Sequence, residues 1–307
     1  MTLRQLRYVT KITECGSMTE AARQLYISQP SLSAAIKELE DELGIEIFRR
    51  TPKGITLTPD GTEFLSYVRQ ITEQTDLLEQ RYMHKKPARR LLRISTQHYA
   101  FAVNAFVNMI KSLSTDEYEL TLRETRTYEI IEDVADFRSE LGILYLSAFN
   151  EKVLRNMFKE KELVFTPLFE AAPHVFVSAD HPLAGRDEID ISELDDYPLL
   201  VFEQGNFNSF YFFEEVLATE PHKKRIMVSD RATLFNLLIG LGGYTTCTGV
   251  LNRNLNGDNI VAVRLRTDER MLVGYITSER STLGGAAARF LEELKRLIAE
   301  DGFEVLS

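Results

Sequence analysis

Apolar residues recur at helical spacing along the first 58 positions. Leu3, Leu6, Val9 and Ile12 predict an amphipathic helix from about 3 to 14, ended by Gly16. Ser17 and Glu20 fit a capping box for a second, short helix. That helix carries Ala21, Ala22 and Leu25, and its small residues admit a close neighbour. Tyr26-Ile27 reads as a turn. Ser28 is placed to cap a third helix with Pro30 in its first turn, where the N–H that proline lacks would be unpaired anyway. Leu32, Ile36, Leu39 and Leu43 follow at spacings of 4, 3 and 4, one stripe toward a core. Two helices joined by so tight a turn form a rigid unit that can hold one helix outward.

The outward face of the third helix carries Pro30, Ser33, Ala34 and Lys37, with Gln29 and Ser31 at its start. These side chains are mostly short, as a helix entering the DNA major groove needs. Gln29 can pair bidentately with adenine, Ser33 can bond any base edge, and Lys37 suits phosphate. Residues 48 to 57 then predict two short strands around a Thr-Pro-Lys-Gly turn. Arg49, Arg50, Thr51 and Lys53 give this hairpin a phosphate-binding tip. Thr58 and Pro59 open a long helix as cap and first helical residue. A three-helix bundle of unrelated purpose shares the periodicity. It does not require the capping box, turn, small-residue face and basic hairpin in this order.

These residues carry a resemblance. Gly16-Ser17-Met18-Thr19-Glu20-Ala21-Ala22, Leu25, Ser28-Gln29-Pro30-Ser31-Leu32-Ser33, Ile36, Leu39-Glu40, Leu43-Gly44, Phe48, Arg50 and Leu57-Thr58-Pro59-Asp60-Gly61 resemble the winged helix-turn-helix of LysR-type transcriptional regulators. The resemblance implies DNA contact by the third helix and the wing, with Arg50 in the place of the family's wing arginine and Arg49 as an extra cation. It also implies a homotetramer, whose paired wings commonly bend DNA.

From 59 to 83 the pattern is helical without a breaker. Phe64, Val68, Ile71, Thr75, Leu78 and Tyr82 form an a/d seam, which predicts a homodimer helix that sets two recognition helices on two half-sites. Residues 84–90 are charged and contain Pro87, so they read as a hinge.

Residues 91–307 alternate strands and helices, the pattern of an α/β fold. The run Leu141-Gly142-Ile143-Leu144-Tyr145-Leu146 is apolar throughout, as in a strand buried on both faces. A second lobe is expected over about 165–265, with a Phe/Tyr-rich helix after Asn208. The first lobe takes 91–164 and 266–307. Two α/β lobes crossed twice by the chain leave a ligand cleft between them. Asp180-His181-Pro182-Leu183-Ala184, Leu194-Asp195-Asp196-Tyr197-Pro198-Leu199 and Leu241-Gly242-Gly243-Tyr244-Thr245-Thr246 are similar to the LysR effector-binding domain, which implies a periplasmic-binding-protein-like pair of lobes. Glu140-Leu141-Gly142 departs from the family's Glu-Leu-Asp, a change expected to loosen an interlobe hydrogen bond.

Candidate effector residues are Thr96, Gln97, His98 and Tyr99 before a helix N-terminus, Tyr145 at a strand end, Glu203, Gln204, Gly205, Asn206 and Asn208 in a polar loop, and Thr245 and Thr246 after a Gly-rich turn. Orphan N–H groups and the helix dipole favour an anion at residues 96–99, so a small anionic metabolite is the expected effector.

Charge fits this division. The 307 residues carry a net −10. Residues 1–90 hold 14 Lys and Arg against 12 Asp and Glu, a surplus of +2, and the rest hold 22 against 34, or −12. DNA affinity must therefore come from placed cations in two copies of the module. No apolar run suits a membrane span, and no signal region opens the chain. Cys15 and Cys247 lie far apart and read as reduced thiols of a cytoplasmic protein. No metal-ligand spacing, nucleophile motif or phosphate-binding loop occurs, so no cofactor is expected. This argues against an enzyme, and the helix-turn-helix argues against a transport-type solute-binding protein.

Overall fold

A computed structural model of the chain describes residues 1–51, 54–83, 90–113, 117–205, 207, 209–251 and 257–306. Hinge residues 84–89 and the candidates Lys53, Asn206 and Asn208 lie outside the described residues, as do the side chains of Arg50 and Thr51. The chain divides into two compact units, Met1–Ala88 and Arg89–Ser307.

The first unit has helices α1 (Leu3–Cys15), α2 (Met18–Gln24) and α3 (Gln29–Leu43), an antiparallel hairpin of β1 (Phe48–Thr51) and β2 (Gly54–Leu57), and a long helix α4 (Pro59–Met83). Its core joins Val9, Ile12, Ala21, Ala22, Leu32, Ile36, Leu39, Ile47 and Leu65. Leu3, expected inside, is exposed. It sits in the first turn, beside a capping box that Thr2 and Gln5 form. At α2 only half of the expected box exists. Ser17 Oγ accepts from Glu20 N–H at 3.4 Å, but the Glu20 carboxylate turns to Arg23 at 2.7 and 2.9 Å. A charge-assisted pair is stronger than a bond back to a neutral amide. Thr58 caps α4 as expected, accepting from Gly61 N–H at 2.9 Å. Gly61 has no alternative, because a Cβ there would lie 2.1 Å from the Ile47 carbonyl oxygen.

The expected seam along α4 divides. Val68 is buried and Phe64 half-buried against the unit's own core, while Ile71 and Leu78 are exposed together with Tyr67. Arg7 of α1 reaches Asp76 and Glu79 of α4 at 3.1 and 2.8 Å.

In the second unit the first lobe is a five-stranded sheet in the order β4-β3-β5-β13-β6. Its strands are β3 (Arg90–Thr96), β4 (Tyr118–Glu124), β5 (Leu141–Leu146), β6 (Leu163–Ala171) and β13 (Met271–Ser278). Helices α5 (Ala100–Lys111), α6 (Thr127–Ala135), α7 (Glu151–Glu160) and α9 (Gly285–Glu300) accompany it. All six residues of β5 are buried. The second lobe pairs β7 (His174–Ser178), β8 (Glu188–Ile189), β11 (Thr245–Cys247) and β12 (Ile260–Leu265) in the order β11-β7-β12-β8. The parallel pair β9 (Leu199–Phe202) and β10 (Arg225–Val228) adjoins it through a bridge from Leu199 to Tyr244, with α8 (Arg231–Leu241) following β10.

Three expectations need correction. The strand holding Phe165 and Leu168 belongs to the first lobe, where β6 pairs along its length with β13, so the chain crosses after Ala171 and not at 165. No long helix follows residue 208. Phe210–Phe212 is a single 3₁₀ turn, because the consecutive residues Phe212, Phe213, Glu214 and Glu215 are all buried, which one face of a helix cannot achieve. Gly142 makes no interlobe contact that an acid could have supplied. A Cβ there would lie 2.5 Å from Ile130 and 3.1 Å from Val134, so α6 packs directly on the bare backbone of β5.

Candidate functional site

The first unit presents α3 outward. Pro30, Ser31, Ala34 and Lys37 are exposed, and Gln29 and Ser33 are half-buried. Ser28 Oγ accepts from Ser31 N–H at 3.2 Å, and the two hydroxyls lie 2.7 Å apart. Gln29 Nε2 donates to Ser33 Oγ at 2.7 Å. The two expected base readers are therefore tied to each other across one helical turn. The hairpin is registered to α3 by Glu40, whose Oε1 accepts from Ile47 and Phe48 N–H at 2.7 and 3.0 Å. Arg49 is well exposed, with only a 3.7 Å ion pair to Glu46. Such a surface pair contributes little and leaves the guanidinium open to phosphate. Tyr26 was expected only as a turn residue. It is 96% exposed at the turn, in a left-handed conformation with φ 56°.

In the second unit the lobes meet around a cavity of about 50 Å³. His98 and Tyr99 enter its wall from the first lobe; Phe202, Glu214, Glu215, Arg231, Thr245 and Thr246 come from the second. The His98 ring stacks on Phe202 with centroids 3.7 Å apart and planes 6° from parallel. Its Nδ1 lies 3.0 and 3.1 Å from the two Glu214 oxygens, and its backbone N–H donates to Glu214 Oε2 at 2.9 Å. Burial is the largest single influence and disfavours the charged imidazole, but the charge and hydrogen bond of Glu214 with the charge of Glu124 together hold the His98 pKa above its ordinary value. The anion expected at the N-terminal end of α5 is thus supplied by the chain itself.

Further contacts close the cleft. Arg231 pairs with Glu124 at 3.2 Å, and Arg126 with Glu203. Thr127 Oγ1 donates to the Phe212 carbonyl at 2.8 Å, and Tyr128 stacks on Phe207 at 3.7 Å. Glu215 is buried. Its Oε1 accepts from Phe202 N–H at 2.8 Å, and its Oε2 has no partner among the described residues. Burial, then the charge of Glu214, pushes its pKa well above the usual carboxylate range. Burial likewise raises the Cys247 thiol far above its ordinary pKa, which makes a reactive thiolate there unfavourable.

The sequence pattern described as "Bacterial regulatory helix-turn-helix protein, lysR family" matches residues 3–62, and "LysR substrate binding domain" matches residues 87–299. The chain belongs to the LysR family. It is 30% identical to the HTH-type transcriptional regulator CysB of Burkholderia cenocepacia over 225 residues, which are 66% of this chain and 63% of that protein. It is 31% identical over 205 residues to the HTH-type transcriptional regulator YnfL of Escherichia coli K12, covering 66% and 65%. The match thus spans just under two thirds of these relatives' own length. The fold resembles full-length CbnR in complex with its target DNA, with TM-score 0.54, 19% identity and coverage of 97% and 100%. It also resembles the Corynebacterium glutamicum OxyR C206 mutant, with TM-score 0.53, 20% identity and coverage of 97% and 92%.

Within this LysR-family chain the expected effector residues scatter. Tyr99, Thr245, Thr246 and His98 share the cavity wall. Most polar groups of the described candidates are engaged inside the protein, but Gln204 Oε1 is buried with no partner among the described residues. Thr96 Oγ1 donates to the Gln97 carbonyl at 2.8 Å. Gln97 Nε2 donates to Thr127 at 2.6 Å, and its Oε1 accepts from Tyr99 OH at 2.8 Å and from Tyr145 N–H at 3.1 Å. Tyr145 OH donates to the Phe213 carbonyl at 3.1 Å, and Thr246 Oγ1 to the Val216 carbonyl at 2.8 Å. Glu203 is held by Arg126, Gln204 is buried with Nε2 3.4 Å from the Phe202 carbonyl, and Gly205 sits against the Arg126 guanidinium. The residues missed are Phe202, Glu214 and Glu215. The legible signal for the last two was an acidic pair directly after the aromatic run Phe210-Tyr211-Phe212-Phe213.

Proposed function

We propose that this protein is a DNA-binding transcriptional regulator of the LysR type, acting in the cytoplasm and not an enzyme. Helix α3 enters the major groove with Gln29 and Ser33 at base edges. Pro30, Ser31 and Ala34 allow close approach, and Lys37 contacts phosphate. The hairpin places Arg49, Arg50, Thr51 and Lys53 on the flanking backbone. The observation that carries this reading is the exposed face of short side chains on α3, held in register with the hairpin by Glu40.

Two chains pair through α4, whose exposed Tyr67, Ile71 and Leu78 support a helix partner, and two such dimers form a homotetramer on promoter DNA. A small molecule binds between the lobes of the second unit and alters their closure. That change alters the spacing of recognition helices.

The test is a gel-shift titration on the DNA upstream of the protein's own gene and its divergent neighbour, with and without pooled metabolites. Binding well above that to random DNA, changed by a metabolite fraction, is the expected result. A folded oligomer that does not discriminate these sequences from random DNA overturns the reading.

A further inference from the structure

Charge around the interlobe cavity is unevenly paired. Its two basic side chains are each matched with a carboxylate, His98 with Glu214 at 3.0 Å and Arg231 with Glu124 at 3.2 Å. Glu215 is a third acid in the same region and has no cation among the described residues. It is 3% exposed, and its Oε2 accepts no hydrogen bond from them. Glu215 forms part of the wall of the 50 Å³ cavity and of an adjoining one of about 100 Å³ bounded by Tyr145, Asn150 and Glu269. A buried carboxyl oxygen left without a donor costs free energy, and a cationic donor at Oε2 would recover it and favour the ionised form that burial opposes. The remaining wall is mixed: Phe101, Phe176, Phe202, Leu234 and Phe235 form an apolar side, and Tyr99, Thr245, Thr246 and Thr248 add hydroxyls.

We infer that the cleft takes a small ligand with a primary ammonium group bound at Glu215 Oε2 and an apolar body against these phenylalanines. This reverses the anionic effector expected from the α5 N-terminus, where Glu214 already sits. A ligand carboxylate would have to displace Glu214 and would meet Glu215 close by. The inference rests on the regulator reading only in calling this ligand the effector. The site itself follows from the cavity.

The test uses the full chain at pH 7 and constant ionic strength, with thermal unfolding and calorimetric titration. The probes are n-butylamine and 2-phenylethylamine, each beside its matched carboxylate and alcohol: butyrate and n-butanol, phenylacetate and 2-phenylethanol. At least one amine is expected to raise Tm saturably while its carboxylate and alcohol do not. Glu215→Gln is expected to weaken that amine's binding about ten- to a hundredfold, the loss of one charge-assisted bond. Glu170→Gln, an exposed carboxylate outside the cavity wall, should leave it unchanged. Stabilisation by a carboxylate probe, no response to either amine, or an amine response that survives Glu215→Gln overturns the inference. Replacing a buried acid by its neutral isostere should not unfold the protein, and the Tm of Glu215→Gln without probe checks this. A gel shift run in parallel separates the two readings. Loss of specific DNA binding removes the regulator and leaves the amine site standing, while DNA binding without an amine response does the reverse.

Discussion

His98 and Glu214 join the two lobes by side chain and backbone together: Nδ1 lies 3.0 Å from Oε2, and the His98 N–H donates to the same oxygen at 2.9 Å. The facing charges are Glu214, Glu124 and Arg231, and their balance leaves the His98 pKa raised. A raised folded pKa means that this link stabilises fully below the unfolded value near 6.5 and is lost as pH rises through the folded value. Glu214→Ala should destabilise the second unit by about 3–5 kcal/mol, the range for removing one partner of a buried ion pair. It should also lower the His98 pKa, since burial and the Arg231 charge are then opposed by Glu124 alone. Ring-proton NMR titration and denaturant unfolding read both. An unchanged His98 titration would show that the pair does not set its charge.

The bond between Gln29 and Ser33, at 2.7 Å, couples the two expected base readers. Gln29→Ala and Ser33→Ala should each lower the ratio of specific to non-specific DNA affinity, by about 1–3 kcal/mol for a lost bidentate contact. The double variant should lose less than the sum, because either single change already breaks the shared arrangement. Fluorescence titrations on operator and random DNA measure this. Equal losses on both DNAs would remove the pair from base readout.

The apolar side chains Ile71 and Leu78 stand exposed seven residues apart on α4. If two chains pair through α4 as proposed, Leu78→Asp combined with Ile71→Asp should yield monomer in sedimentation velocity while the first unit stays folded by circular dichroism. Cooperative operator binding should disappear with the dimer. A dimer that persists would place the interface elsewhere.

At Gly142 a side chain has nowhere to go, with Ile130 at 2.5 Å and Ile276 at 3.0 Å from a built Cβ. Gly142→Ala should destabilise by about 1–3 kcal/mol through overpacking. Gly142→Asp, which restores the acid common in the family, should cost more, because it adds a carboxylate among isoleucine and valine. Urea midpoints should rank wild type, Ala, then Asp. An Asp variant as stable as the wild type would mean that α6 shifts away at little cost.

What the sequence determined by itself was local. Capping hydroxyls, helix-ending glycines and 3.6-residue spacing act between residues a few positions apart. Ser28, Gly16 and the Leu32-Ile36-Leu39 stripe therefore announced the helices and their faces, and the apolar run of β5 announced a buried strand. The exposed short side chains of α3 were legible for the same reason, because they lie on one helix. The cleft was decided by tertiary structure. Glu214 approaches His98 from 116 residues away, and no local rule links an acid in a collapsed aromatic segment to a distant helix N-terminus. The sequence showed that this N-terminus attracts an anion. Only the packing of the lobes showed that the anion is already there and that Glu215 Oε2 beside it has no donor among the described residues.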